Sequence, residues 1–247
     1  MKYVLLALAS FFATLGYTQG SGKIVYQEKM DLHRNLSPER QEMKEMIPQF
    51  NTSVFELVFS GDESIYQPQK NAEETEVTSS SGGAQMTMRF GRENRIIYKN
   101  QAEDKMIESR EFMQKQFLIT GPLTIRKWKI GTKQKEILGH TCMGADFRVD
   151  SATTLIAWFT TDIPVSCGPS DYQGLPGLIL GVDINDGLRT ITATEIKLEE
   201  VDPSMIIAPS KGKEVTSAEF EKIREEKMKE MHLQNGGNSQ MIMIRHN

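Results

Sequence analysis

The sequence predicts a mainly β fold: a curved, half-barrel-like antiparallel sheet with one C-terminal amphipathic helix. Three observations predict it. Short stretches that alternate apolar and polar residues recur from Gly22 onward, which is the period of a half-buried strand. Turn sequences such as Asn185-Asp186-Gly187 separate these stretches. Candidate helices are too few to supply the crossovers that a parallel sheet requires.

In the first part of the chain, Ile24, Tyr26 and Met30 follow a period close to two and predict the first strand. Residues 53–60 and 64–69 flank a Gly-Asp-Glu turn and predict a hairpin. Further strands are predicted at residues 94–100, 105–112, 116–121, 125–131, 135–149, 152–165, 178–180 and 188–201.

Three segments are not predicted as strands. A short helix is expected from Ser37, because Pro38 suits a first helical position, and it should end before Pro48. Residues 70–84 are polar, rich in Ser and Gly and without periodicity, so a mobile loop is expected there. Residues 167–177 hold three glycines and two prolines, which predict an irregular, tightly turning segment.

The C-terminal helix is predicted at about residues 217–233. Thr216 and Glu219 form a capping-box pattern at its start, and Gly236-Gly237 should end it. Its narrow apolar stripe consists of Phe220, Ile223, Met228 and Met231. Residues 239–247 are expected either to add a short edge strand or to trail from the fold.

The N-terminus has the pattern of a secretory signal peptide. Lys2 precedes an apolar run at residues 3–16, which is too short to span a membrane as a helix. Cleavage after Gly20 is expected, with Gly16 as the competing site; the alternative is that the run forms a buried N-terminal strand or helix. Residues 1–20 are therefore interpreted as a signal peptide and residues 21–247 as a single β-rich domain. The mature chain should lack a transmembrane segment and reside in the periplasm or outside the cell.

The charge distribution argues against nucleic acid as a partner. The chain has 29 Lys and Arg against 33 Asp and Glu, a net charge of −4, without the concentrated basic surface that nucleic-acid binding requires.

Cys142 and Cys167 are the two cysteines of the chain. An even count in an exported protein is compatible with one disulfide; the alternative is two buried thiols that never meet. The pair alone is a poor zinc site, since zinc prefers four ligands.

A family resemblance rests on a series of short motifs. Residues 174–179 read Gly-Leu-Pro-Gly-Leu-Ile, and the motifs that precede them are Gly139-His140-Thr141-Cys142 with Ala145, Ala157-Trp158-Phe159-Thr160, Asp162-Ile163-Pro164, Gly168-Pro169 and Tyr172. In this combination, over about residues 128–200, the chain resembles the GLPGLI family of exported Bacteroidetes proteins. That family has no established activity, so the resemblance implies export and fold, and it assigns no catalytic residue.

Two interpretations of the hexapeptide Gly174, Leu175, Pro176, Gly177, Leu178 and Ile179 stay open. It is either a structural corner that leads into a core strand or a loop that touches a ligand or partner. The structural corner is favoured, because none of its side chains can form a hydrogen bond.

No catalytic constellation stands out, and the sequence favours a non-enzymatic protein without deciding the matter. HExxH, GxSxG, P-loop and GxGxxG motifs are absent from the sequence. His140 and Cys142 would make a poor base–thiol pair at adjacent same-face positions of a strand.

Methionine is the one anomaly of composition, with 14 residues. Several lie near the C-terminus together with histidines, and thioether and imidazole groups suit Cu(I). The candidate copper ligands are Met228, Met231, His232, Met241, Met243 and His246. Core packing is the ordinary use of methionine and the favoured alternative, so no cofactor is expected apart from this copper hypothesis.

The leading hypothesis is an exported, non-enzymatic binding or envelope-assembly protein. Its curved sheet would offer a groove to an envelope protein, a peptide or an apolar ligand. A copper-binding protein is the first alternative, and an unrecognised periplasmic enzyme is the second.

Overall fold

The protein is built mainly from β-strands, as the alternating sequence predicts. The computed structural model describes residues 20–36, 41, 44–45, 47–70, 75–81, 84–90 and 94–234. Within these residues the strands are β1 (Ser21–Asp31), β2 (Phe50–Ser60), β3 (Glu63–Pro68), β4 (Thr75–Ser81), β5 (Ala84–Phe90), β6 (Arg95–Asn100), β7 (Lys105–Phe112), β8 (Lys115–Gly121), β9 (Lys129–Ile137), β10 (His140–Arg148), β11 (Thr154–Thr160), β12 (Leu178–Ile184), β13 (Arg189–Lys197) and β14 (Lys213–Thr216). The helix α1 (Ser217–Gln234) follows β14 directly.

Twelve strands form one sheet in the order β14-β8-β7-β6-β3-β2-β1-β13-β12-β11-β10-β9, and β4 and β5 pair separately as a hairpin. The large sheet is open, with β14 and β9 at its edges. The predicted curved sheet with one C-terminal helix is confirmed in this arrangement.

One strand pair departs from the predicted antiparallel pattern. β14 lies parallel to β8, whereas the other pairs of the large sheet are antiparallel. The connection from β13 to β14 makes this possible without a crossover helix. Its residues Val201, Ile206 and Ala208 pack against side chains of β2, β3, β6, β7 and β8 on one face of the sheet. The β13–β14 connection therefore crosses and covers this face of the sheet, as a helix usually does in a parallel crossover.

The opposite face, called the inner face below, carries the main core. Tyr26 of β1 and Phe55 of β2 are directly paired and have no exposed surface. The Phe55 ring stacks on that of Tyr66 in β3, with centroids 4.8 Å apart. Phe159 of β11 and Leu178 of β12 belong to the same buried cluster. This core therefore holds together strands from both halves of the sheet.

Two segments differ from the sequence-based expectation. Residues 70–84 were expected to be a loop, but Thr75–Ser81 form β4 and pair with β5, which the sequence also did not predict. Thr75, Val77 and Thr78 are β-branched residues that favour a strand even in a polar stretch. The predicted continuous strand 135–149 is divided by a turn at Leu138 and Gly139, both with positive φ, so it contributes to both β9 and β10.

Several expectations concern residues outside the described part of the chain. These are residues 1–19 of the expected signal peptide 1–20, most of the short helix before Pro48, the glycine pair after α1 and the tail at residues 239–247. No helix in the described residues is both long and apolar enough to cross a bilayer.

Candidate functional site

A cavity of about 270 Å³ opens on the inner face beside the first turn of α1. We call it the arginine cavity, because three arginines from three different strands line it. Its full lining consists of Arg95, Ile97, Met106, Glu108, Arg110, Ile119, Thr124, Ser170, Asp171, Tyr172, Arg189, Ser217, Phe220 and Glu221.

Side chains alternate between the two faces of a strand, and this alternation places the strand residues of the lining on the inner face. Ile97 of β6 lies opposite both Tyr66 of β3 and Glu108 of β7, and directly paired residues share a face. Arg95 lies two residues before Ile97 and is directly opposite Arg110 of β7. Two arginines are therefore cross-strand neighbours, an arrangement that is unfavourable unless negative charge lies nearby.

Glu28 of β1 supplies negative charge to two of the arginines. Its carboxylate accepts hydrogen bonds from Arg189 Nη2 at 2.5 Å, from Arg95 Nη2 at 3.1 Å and from the Tyr66 hydroxyl at 2.7 Å. Burial alone would raise the pKa of Glu28, but the charges of Arg189 and Arg95 outweigh it and hold the pKa at about 2. The carboxylate is therefore ionised across the physiological pH range.

Residues 167–173, called the cavity loop below, bring further polar groups to the cavity. Ser170 has a φ of 52°, and its hydroxyl accepts a hydrogen bond of 2.9 Å from Arg95 Nη1. The Lys99 ammonium, 1% exposed, donates to the Gly168 carbonyl at 3.0 Å. Burial lowers the pKa of Lys99. The backbone and side chains of the loop thus act as acceptors for cations of β6.

Asp171 and Tyr172 of the cavity loop are held by Arg126. One guanidinium nitrogen of Arg126 donates to the Asp171 carboxylate at 2.5 Å and another to its carbonyl at 3.0 Å, while the guanidinium lies 4.7 Å from the centre of the Tyr172 ring. Burial alone would raise the pKa of Asp171, but the Arg126 charge and hydrogen bond lower it. Burial raises the pKa of Tyr172 to about 12, so its hydroxyl stays protonated.

The first turn of α1 closes one side of the cavity. Phe220, 2% exposed, packs edge-on against Phe112 and Phe117 at centroid distances of 5.9 and 5.3 Å. The predicted capping box is present: the Thr216 N–H donates to the Glu219 carboxylate, and the Glu219 N–H donates back to the Thr216 hydroxyl. The helix start is therefore fixed in position beside the cavity.

The hexapeptide at residues 174–179, called the signature segment below, packs into the core. Leu175, Leu178 and Ile179 are at most 3% exposed, and the Ile179 carbonyl accepts a hydrogen bond of 2.7 Å from Tyr26. A Cβ on Gly177 would lie 2.0 Å from the Thr160 carbonyl oxygen. This geometry supports the structural-corner interpretation.

Cys142 and Cys167 are both buried as free thiols, so the expected disulfide is not formed in this structure and stays a prediction. In the structure the His140 ring is paired with Asp162. Its Nδ1 lies 3.0 Å from Asp162, and the Cys142 thiol donates to the His140 carbonyl oxygen. Burial raises the pKa of Cys142 to about 11, which disfavours a thiolate nucleophile.

The copper hypothesis is not tested by the structure. Met228 and Met231 lie half-buried on the α1 stripe, and the side chain of His232 together with Met241, Met243 and His246 lies outside what the structure describes. In the described residues, no three His, Cys, Asp or Glu side chains converge as a metal site. The copper site stays a prediction.

Sequence reasoning missed the charged groups of the arginine cavity, although a signal for them was present. Glu28 falls in the same phase as Ile24, Tyr26 and Met30, the residues that predicted the first strand. Lys99 and Arg95 likewise share the phase of Ile97 in β6. A charged residue in the apolar phase of a strand is expected to be buried and paired.

The described fold is an open, curved β-sheet with a C-terminal helix beside a cavity on the inner face. In structural comparison the chain is similar to PNGF-II in its C2 and P21 crystal forms, each with a TM-score of 0.54 and 16% identity. Each match covers 82% of this chain and 32% of the PNGF-II chain, so this chain spans about a third of that protein's length. A likeness at this identity shows the fold alone.

An uncharacterized conserved protein from Thermus thermophilus matches more weakly, with a TM-score of 0.41 and 6% identity over 80% of this chain and 91% of that one. In sequence, residues 146–181 match the family model described as "Protein of unknown function (Porph_ging)". The matched segment includes both the cavity loop and the signature segment, and lies within the span of the resemblance described above. No curated protein matches the chain.

Proposed function

We propose that the protein is an exported, non-enzymatic binding protein that holds a small ligand in the arginine cavity. The observation that carries the proposal is the convergence of charged and aromatic side chains from five separate parts of the fold, β6, β7, β13, the cavity loop and α1, on one cavity. Ligand sites are typically concave, with an apolar lining and a few convergent polar groups. A volume of about 270 Å³ is at the small end of the usual range and suits a small molecule.

The protonation states in the cavity favour binding over acid–base catalysis. A general acid or base works best with a pKa near the operating pH. Glu28 and Asp171 instead have lowered pKa values and are paired with arginines, and Tyr172 has a pKa of about 12. Asp171 and Tyr172 line the cavity with a fixed charge and a hydrogen-bond donor, which orient a ligand, and Glu28 holds two of the cavity arginines.

The charged side chains of the lining also indicate whether the ligand is polar or apolar. A purely apolar molecule would remove water from the Arg110 and Asp171 side chains without replacing its hydrogen bonds, and such desolvation is costly. We therefore propose a polar ligand in place of the apolar ligand, which was one of three kinds of partner expected from the sequence beside an envelope protein and a peptide.

Export is part of the same proposal and has its own test. β1 begins at Ser21, the residue that follows the expected cleavage point after Gly20. N-terminal sequencing of the protein purified from its native host should give Ser21 as the first residue. A start at Tyr17 would favour the competing cleavage after Gly16, and a retained Met1 would contradict the signal peptide.

Ligand binding in the cavity is tested by ligand-observed NMR with a mixture of small organic acids, bases and neutral compounds. Ser217→Trp places an indole at the cavity wall, at a residue that is exposed. Ala218→Trp is the matched control, because Ala218 is the next residue of α1, is also exposed and does not line the cavity.

At least one compound should bind the wild type and the Ala218→Trp variant but not the Ser217→Trp variant. The proposal is wrong if no compound binds the wild type, or if every binding event survives Ser217→Trp.

A further inference from the structure

The charged residues that line the cavity are three arginines and three carboxylates, and a surplus of positive charge among the described groups arises from the cations directly beside it. The cations in or directly beside it are Arg95, Lys99, Arg110, Arg126 and Arg189, and the carboxylates that they contact or surround are Glu28, Glu108 and Asp171. Glu221 at the rim is paired with Arg224 at 2.5 Å and does not change this balance. Among the described groups, with the Glu221–Arg224 pair set aside, five cations thus face three carboxylates.

The surplus is built into the register of the sheet. Arg95 and Arg110 are direct cross-strand partners on β6 and β7, where like charges destabilise a sheet. Arg95 is 5% exposed, so solvent screens its charge only weakly. Local rules of stability are commonly broken at functional sites, and an anion beside this pair would add to the negative charge that Glu28 and Glu108 already supply.

Arg110 is suited to meet such an anion. Its guanidinium contacts Glu108 at 2.6 Å and lies 5.7 Å from the centre of the Phe220 ring. It is half-buried, unlike Arg95 and Arg189, which lie deeper on Glu28. Guanidinium groups bind carboxylate and phosphate oxygens in pairs of parallel hydrogen bonds.

Part of the lining is apolar or aromatic. Ile97, Met106, Ile119 and Phe220 line the cavity on the side of β6–β8 and α1. Tyr172 lies in the cavity loop with a protonated hydroxyl. An inorganic ion would leave these apolar side chains uncovered, whereas an organic anion would cover them with its apolar part.

We infer that the ligand of the arginine cavity is a small organic oxyanion, a carboxylate or a phosphate monoester with an apolar body. The oxyanion contacts the Arg95–Arg110 pair, and the apolar body packs toward Phe220 and Ile119. This inference rests on the proposed binding function and names the class of ligand for the same cavity.

Isothermal titration calorimetry in Tris buffer at low salt tests the inference with matched probes. Benzoate and phenyl phosphate are the two anionic arms, and they distinguish a carboxylate from a phosphate ligand. Benzamide has nearly the same shape as benzoate but carries no charge. Acetate and inorganic phosphate supply the oxyanions without the ring.

At least one aromatic anion should bind tenfold or more tightly than benzamide and than its ring-free counterpart. Arg110→Met, which keeps much of the apolar stem, should weaken that anion about tenfold or more, and Arg110→Lys should weaken it less. Lys197→Met removes the same charge from an exposed pair on β13 and should leave affinity unchanged within twofold.

Benzamide binding as tightly as benzoate would overturn the inference and leave ligand binding in the cavity intact. The inference also fails if acetate or inorganic phosphate equals its aromatic counterpart, or if Arg110→Met has no effect. If no aromatic anion binds while another compound is blocked by Ser217→Trp, the inference alone is wrong. If nothing binds in either experiment, both proposals are wrong.

Discussion

The cavity loop and the signature segment are adjacent in the chain, yet they present their groups to different surroundings. The signature segment buries Leu175, Leu178 and Ile179 in the core. The cavity loop turns Ser170 and Asp171 toward arginines of the inner face. The signature segment, which is the most recognisable motif of the sequence, therefore forms a structural corner. The less distinctive residues of the cavity loop before it line the candidate site.

The difference has a physical origin. Glycine and proline at residues 174–177 fix the path of the backbone, and Gly177 in particular must approach the Thr160 carbonyl more closely than any Cβ would allow. Residues 169–172 instead offer a hydroxyl, a carboxylate and a phenol. Only side chains with hydrogen-bonding groups can recognise a polar ligand in this way. Residues 169–172 are therefore suited to ligand recognition, whereas residues 174–177 are suited to packing.

The largest expected effect is that of Glu28→Gln. This change leaves Arg95 and Arg189 without the charge that they share and should lower the free energy of unfolding by about 3–5 kcal/mol. Urea unfolding at pH 7 measures it. Glu195→Gln, at an exposed residue of β13, is the control and should have little effect; equal losses would contradict the role of Glu28.

The lowered pKa of Glu28 predicts that the stability of the protein depends on pH. The pKa of Glu28 is about 2 in the folded protein and roughly 4.3 in an unfolded chain. Because the folded value is the lower one, its contribution to stability is present above about pH 4.3 and is lost as the pH falls toward 2. The stability difference between wild type and Glu28→Gln should therefore shrink between about pH 5 and pH 2. A constant difference would contradict this account.

A somewhat smaller effect is expected in the signature segment. Gly177→Ala places a Cβ 2.0 Å from the Thr160 oxygen and should cost about 3 kcal/mol of unfolding free energy. Gly174→Ala meets no atom within 4 Å, although Gly174 has a φ of 86°, and should cost about 1 kcal/mol. Both variants, if folded, should keep wild-type affinity for a cavity ligand, and a selective loss of binding would assign the segment a direct role.

Effects smaller than those of Glu28→Gln and Gly177→Ala are expected for two tyrosine hydroxyls, one beside the arginine cavity and one bonded to the signature segment. Tyr66 and Tyr26 are fully buried; the first donates to the Glu28 carboxylate and the second to the Ile179 carbonyl, both at 2.7 Å. Hydrogen bonds to charged groups contribute more, so Tyr66→Phe should cost about 2 kcal/mol and Tyr26→Phe about 1 kcal/mol. Thermal unfolding of both variants gives the order, and the reverse order would show that the charged cluster contributes no extra stability.

Much of the fold could be predicted because alternation and turns are local signals. Ile24, Tyr26 and Met30 identify β1, and the capping box at Thr216 identifies the start of α1. The parallel β14–β8 pair could not be predicted, because it depends on how residues 198–212 cross the sheet. β4 was missed because polar composition outweighed the preference of its β-branched residues for a strand.

The candidate site was the harder part to predict from sequence. The charged residues that line it come from β6, β7, β13, the cavity loop and α1, so no contiguous motif contains them. Glu28 and Arg189 are 161 residues apart in the chain, and only the register of the sheet brings them together. The one local sign was a charge in the apolar phase of β1 and of β6.

The central claim is that a ligand contacts the arginine cavity and not the signature segment. Two-dimensional amide NMR during a titration with benzoate tests it most directly. The account predicts saturable shifts at Ser170, Asp171, Tyr172 and Arg110, with Leu178 to Leu180 unchanged. Shifts centred on residues 174–180, or no shifts at any concentration of benzoate and none with phenyl phosphate in its place, would contradict it.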